Sequence, residues 1–332
     1  MTNIETIENT EFFKLEKTTE TEKDKSENNK FKTLFCDNTI KEMLNNKIEN
    51  IDSNGIKTNF SALDSNTKGL TNKHLYVLAG RSGTGKTTLM INLINNIMKE
   101  INQNTNDVVL FISLEVPANE IAQKFVNLHF KNKVLDNYSK DELIDLKNKW
   151  FNEEHQNKTF LRYLKNLIIL DNYNLYASEL INLINEMKKE NMNVRALFID
   201  HLQIFKYSLQ QLGKREEINK IMLELKNIAK YFNIPVVALS QLSRPSKSDS
   251  IEKDCFNVPK PKLTDLKESS SIEETADVVA LLYTANVLSD DTEILHLSID
   301  KNRNGKKAVE RLGFDKKFSR IVSIGEDFGQ WE

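Results

Sequence analysis

From residue 55 onward the chain alternates two patterns. Short runs are apolar at every position: Leu75–Ala79, Val108–Ser113, Leu167–Asp171, Ala196–Asp200, Ile234–Ser240 and Val278–Tyr283. Runs with no polar face predict strands covered on both sides, and therefore a largely parallel sheet. Between them, apolar residues recur every three or four positions. The clearest case is Ile218, Ile221, Met222, Leu225, Ile228, Ala229 and Phe232, stopped by Asn233 and Pro235, which predicts an amphipathic helix with a defined end. Further on, Ile294–Asp300 and Arg320–Ile324 predict two late strands flanking a basic turn. Residues 130–166 are polar with helical spacing and read as a surface excursion. The alternation predicts one doubly wound α/β domain, a mostly parallel twisted sheet flanked by helices, over residues 55–332.

The first 54 residues have a different texture. Residues 1–30 are rich in Glu, Lys, Thr and Asn without an apolar period. Such a tail buries too little surface to offset its ordering entropy and is expected to be disordered. Across 31–54 apolar residues return at helical spacing (Leu34, Phe35, Ile40, Met43, Leu44, Ile48, Ile51). A helix with one apolar face must lay it on something, either its own domain or a neighbouring subunit.

Composition narrows the class. Of the 332 residues 39% are apolar and 28% charged, which fits a folded body carrying a polar appendage. A net charge of −2 gives no global attraction to nucleic acid, so any such binding must come from local patches. Cys36 and Cys255 are the only cysteines; they offer no metal-ligand spacing and fit a reducing compartment. No run approaches the ~20 apolar residues of a membrane span, and the N-terminus lacks the order of a signal peptide. A soluble cytoplasmic protein without membrane partners is expected.

Residues Gly80–Thr87 match G-x-x-x-x-G-K-[ST], with Leu75–Ala79 as the strand before and Leu89, Leu93, Ile94 and Ile97 as the inward helical face after. Glycines let successive amide N–H groups converge on phosphate oxygens, and the helix N-terminus adds positive potential. Gly80, Ser82, Gly83, Thr84, Gly85, Lys86 and Thr87 are thus expected to bind the phosphates of ATP, with the Thr87 hydroxyl on Mg²⁺. Asp200 ends the apolar strand Ala196–Asp200, where a second Mg²⁺ ligand belongs. Glu115 follows another buried strand; its position suits either a base acting on the attacking water or a cap for the next helix. Gln241 closes the strand Ile234–Ser240 and suits either a γ-phosphate sensor or a turn cap. Residues 299–320 carry a net +5, eight basic against three acidic. That run is either a solvated face or the source of an arginine placed on a phosphate.

Together these segments resemble the RecA-like motor domain of DnaB-type replicative helicases over about Gly55 to Ser323. The resemblance lies in Gly55–Asp64 with Gly69 and Leu70, the P-loop, Ser113–Glu115, Asp200–Gln203, Leu239–Arg244, Leu263–Glu273 with Ala276 and Asp277, and Lys301–Gly305, in that order. It implies that Glu115 is the catalytic base and Gln241 the sensor. Lys301 and Arg303 would enter a neighbour's site in trans. It further implies a hexameric ring on single-stranded DNA, an intersubunit role for the helix in 31–54, and a primase or helicase loader as possible partners. DNA contacts would fall on Lys267, Ser269 and Ser270, with a second loop near Lys206–Arg215.

Three positions depart from the family pattern. His201 stands where Tyr is usual, a change expected to alter packing only. Lys267 replaces Arg and loses its bidentate fork. Ser270 replaces Gly in the DNA-contact loop. The function implied is an ATP-dependent replicative helicase, of a kind used by phages, plasmids or mobile elements. The alternative is a RecA-like recombination mediator or loader-type ATPase that uses ATP as a DNA-binding switch.

Overall fold

The computed structural model describes residues 55–101, 106–128, 134–151, 164–171, 175–205, 213–243, 252–266 and 269–324. The polar tail and the helix expected in 31–54 lie outside the described residues, as does Lys267. Helices α1 (Ser61–Thr67), α2 (Lys86–Glu100), α3 (Ala118–Asn127), α4 (Lys140–Phe151), α5 (Glu179–Lys189), α6 (Lys214–Phe232) and α7 (Ser269–Thr275) alternate with strands. Nine strands form the main sheet: β1 (Leu75–Gly80), β2 (Asp107–Ser113), β3 (Leu167–Leu170), β4 (Asn193–Asp200), β5 (Val236–Gln241), β8 (Val278–Val287), β9 (Thr292–Asn302), β10 (Ala308–Asp315) and β11 (Arg320–Ser323). A two-stranded hairpin, β6 (Glu252–Lys253) and β7 (Pro259–Lys260), stands apart.

The order across the sheet is β11-β10-β9-β8-β1-β5-β4-β2-β3. From β8 to β3 the neighbours are parallel; β9, β10 and β11 extend the sheet as antiparallel strands. Residue alternation along β1 divides the core. Tyr76 and Leu78 face one apolar layer with α2 (Leu89, Leu93, Ile97). Leu75, Val77 and Ala79 face the other, with α5 (Leu180, Ile184) and α6 (Ile218, Ile221, Leu225, Ile228). Strands buried on both faces are what the apolar runs required.

The late basic segment differs from its expectation. It is not a turn between two strands, because residues 308–315 form β10, paired on both sides. Leu312 and Phe314 are buried, as is Glu310. Both Glu310 oxygens accept backbone N–H groups of Ser61 and Ala62, at 2.9 and 2.8 Å, and so cap α1. The expected surface excursion is consistent with α4, which is largely exposed where its side chains are described.

Candidate nucleotide site

Parallel strands open onto a crevice at their carboxyl ends, and the geometry of the loop follows from β1 ending there. Gly80 and Gln241 are register partners, so the P-loop and the end of β5 start from the same level. Gly83 and Gly85 adopt φ values of 79° and 86°, a left-handed conformation that costs other residues strain. A Cβ on Gly80 would stand 2.7 Å from Thr84 Oγ1 and 2.8 Å from the Leu282 carbonyl. Gly85 precedes α2 as its N-cap residue, so the first free amides of that helix face the crevice. Lys86 Nζ donates to the Arg81 carbonyl at 2.8 Å, across the base of the loop. Burial pulls its ammonium below the ordinary lysine value, against the attraction of Asp200 and Glu115.

Asp200 lies at the end of β4 and is buried. Its Oδ2 accepts the Thr87 hydroxyl at 2.6 Å, so two hard oxygen donors meet beside the loop. Oxygen donors of this kind suit Mg²⁺, and Thr87 with Asp200 therefore fits the ion expected from the sequence. The Asp200–His201 peptide bond is cis.

Glu115 does not cap the helix after β2. That place is taken by Asp171, whose carboxylate accepts the Ala118 N–H at 3.0 Å. The Glu115 carboxylate instead turns into the crevice, with Oε2 at 2.9 Å from His201 Nδ1. His201 therefore does more than alter packing, correcting the expectation for that position. Its ring is a polar partner inside the site because its β4 neighbour Asp200 is at the crevice floor. Glu115, Asp200 and His201 place ligand atoms within 4.8 Å of one another.

Gln241 lines the same cavity of about 510 Å³, with Lys86, Thr87, Glu115, His201, Phe314 and Lys316. Its backbone N–H is 3.3 Å from Gln203 Oε1, and Gln203 Nε2 donates to Ser240 Oγ at 2.9 Å. Gln203 thus links the chain after β4 to the end of β5. Phe314 and Lys316 come from the end of β10 and the turn after it. Nothing in their local sequence marks them as site residues, since only sheet pairing brings them to the loop. A larger cavity, about 650 Å³, opens on the other side of Ser82 toward the β6–β7 hairpin. It contains neither Asp200 nor Glu115 and is not where phosphate chemistry would occur.

Lys301 and Arg303 are elsewhere. Val278 pairs with both Tyr76 and Asn302, and the Arg303 N–H bonds to the Asp277 carbonyl. Both side chains therefore sit at the amino end of β1, opposite the P-loop. Lys301 Nζ donates to the carbonyls of Glu273 and Ala276, the latter at 2.7 Å. Arg303 donates to the Glu274 carbonyl and lies 3.6 Å from the Asp277 carboxylate. Burial, and then the adjacent guanidinium, pull Lys301 below the usual lysine value. Ser269 begins α7. The Ser270 hydroxyl accepts from Arg215 at 2.5 Å, which fixes the start of α7 to the start of α6.

Comparison with known proteins agrees with this geometry. The family described as DnaB-like helicase C terminal domain matches residues 55–323. The chain is 33% identical over 280 residues to a replicative DNA helicase DnaB of Mycoplasma genitalium, covering 81% of this chain and 56% of that protein. It is 32% identical over 282 residues to a probable replicative DNA helicase of Trieres chinensis, covering 80% of this chain and 57% of the other. The chain thus spans a little over half the length of the curated relatives it matches. Among solved structures, an isolated ATPase domain aligns with a TM-score of 0.67 at 23% identity, over 87% of this chain and 98% of that one. A DnaB-like replicative helicase, studied with its interactions with primase, aligns with a TM-score of 0.67 at 24% identity, over 86% and 66%. A P-loop on a parallel sheet, an acid beside its threonine and a match over nearly all of residues 55–323 lead to one conclusion: the chain belongs to the family of DnaB-like helicase C-terminal domains.

Proposed function

We propose that this chain hydrolyses ATP and uses the cycle to move along single-stranded DNA and separate the duplex, as a replicative helicase. The observation that carries the proposal is the crevice itself. The P-loop, the Thr87–Asp200 pair and the Glu115 carboxylate converge on one cavity at the carboxyl edge of the sheet.

In this reading the loop amides and Lys86 hold the phosphates of ATP. Thr87 and Asp200 would hold Mg²⁺, which when bound would screen phosphate charge and polarise the bond to be cleaved. Glu115 accepts a proton from the attacking water, and Gln241 reports on the γ-phosphate. Arg303 and Lys301 act in the site of a neighbouring copy. Their distance from their own loop supports this, because β1 separates the two edges by roughly 16 Å at 3.3 Å per residue. A ring, a hexamer by family likeness, would satisfy that geometry. Single-stranded DNA would be gripped through its phosphates near Arg215, Lys267, Ser269 and Ser270, a few contacts per subunit multiplied around the ring. Primase or a loader remains a partner class to be tested against the same ring. Replication of a phage, plasmid or mobile element is the setting proposed.

The test is unwinding of a forked duplex by the full chain, beside Lys86→Ala. Strand separation that requires ATP and is lost in Lys86→Ala is expected. DNA-stimulated hydrolysis without any strand separation would favour the mediator or loader reading instead.

A further inference from the structure

We infer that His201 is a positioning residue for the Glu115 carboxylate, holding one oxygen so that the other is aimed at the attacking water. The inference rests on the proposed role of Glu115 and deepens it.

Glu115 lies beyond the end of β2, and its side chain is 54% exposed. A flexible, half-solvated glutamate samples several rotamers, and a base displaced by about 1 Å loses on the order of a hundredfold in rate. Something must therefore hold it. His201 is suited to that task by its backbone. Ser113 and Asp200 are register partners of the parallel pair β2–β4, and the Leu114 N–H bonds to the Asp200 carbonyl at 2.7 Å. The two chains thus stay paired one step past the strands, which places the following residues, Glu115 and His201, side by side. The His201 side chain is only 11% exposed, and the residue lines the nucleotide cavity.

The hydrogen bond has a definite direction. A carboxylate oxygen accepts, so Nδ1 must carry the hydrogen. Asp200 Oδ1 is 3.7 Å from the same nitrogen, beyond hydrogen-bond distance, so the donor is committed to Glu115. With Oε2 held, Oε1 remains to accept the water proton. A base oriented by a third group is a general requirement of activated hydrolysis, and here the third group adjoins a proposed Mg²⁺ ligand.

The measurement is steady-state ATP hydrolysis by the full chain with single-stranded DNA and saturating Mg²⁺. His201→Phe keeps a ring but removes the donor, and should lower kcat about tenfold or more with KM for ATP within about twofold. His201→Asn can place an amide N–H near the position of Nδ1 and should restore most of kcat. Binding of a fluorescent ATP analogue to both variants checks that the site is folded, and their Mg²⁺ half-saturation should match the wild type. Wild-type kcat in His201→Phe overturns the inference, as does equal loss in Phe and Asn. A shift in Mg²⁺ half-saturation with kcat unchanged also overturns it, because His201 would then act on the ion. Glu115→Gln is the separate control: if it retains turnover, the role of Glu115 itself is wrong.

Discussion

Gly85 has a φ of 86°, and a Cβ there would stand 3.1 Å from the Phe314 ring. A methyl group must distort the loop or push the ring, and the left-handed conformation alone costs a non-glycine residue about 1–2 kcal/mol. Gly85→Ala should therefore weaken a fluorescent ATP analogue about tenfold while far-UV circular dichroism stays unchanged, since the glycine faces the crevice and not the core. Unaltered affinity would show that the loop tolerates a side chain at this point. The P-loop is legible from sequence because its chemistry is local: glycines, lysine and threonine act within eight consecutive residues. Glu115 is ambiguous in sequence because its alternatives, cap or base, depend on where Asp171 goes, and that is a tertiary fact. His201 reads as a mere packing change for the same reason, its partner being on another strand.

The β6–β7 hairpin shows how an element is attached. Asp254, between its strands, accepts from the backbone N–H of Phe256 and Val258, from Tyr283 at 2.8 Å and from His296 Nδ1 at 2.5 Å. Burial alone would raise this carboxyl; the bonds from Val258, His296 and Tyr283 outweigh it and hold the group below its ordinary 3.8. Burial, with that carboxylate as neighbour, pushes the Tyr283 phenol well up. A carboxyl depressed in the folded chain contributes stability that is present above its ordinary value and fades as pH falls through the folded one. Asp254→Asn should thus cost about 2 kcal/mol at pH 7. In urea unfolding the gap from wild type should persist to about pH 4 and close below it. A gap that is the same at pH 3 would mean that shape, not charge, fastens the hairpin. No sequence signal points to this cluster, because Asp254, Tyr283 and His296 come from three separate segments. The core strands are legible because burial on both faces leaves only apolar residues. β10 is not: its Glu310 and Arg311 look like surface, yet Glu310 is buried as the cap of α1.

At the scale of the whole molecule, the two halves of the proposed chemistry sit on opposite edges of one sheet. Lys86, Thr87, Glu115 and Asp200 are at the carboxyl edge; Lys301 and Arg303 are at the amino edge, held by carbonyls at the end of α7. Asp277 anchors that edge, accepting the Leu75 N–H at 2.7 Å and the Lys226 ammonium. The fold class is readable from the alternation of strands and helices, whereas this separation is not, because it depends on β9 running antiparallel to β8. The most direct test mixes Lys86→Ala and Arg303→Ala chains and measures ATP hydrolysis with single-stranded DNA. Each variant alone should be nearly inactive, and the mixture should regain turnover, because an intact loop on an Arg303→Ala copy can meet an intact Arg303 on a Lys86→Ala copy. A mixture no more active than its separate components, or an Arg303→Ala chain with full activity by itself, would contradict a site completed by a second subunit.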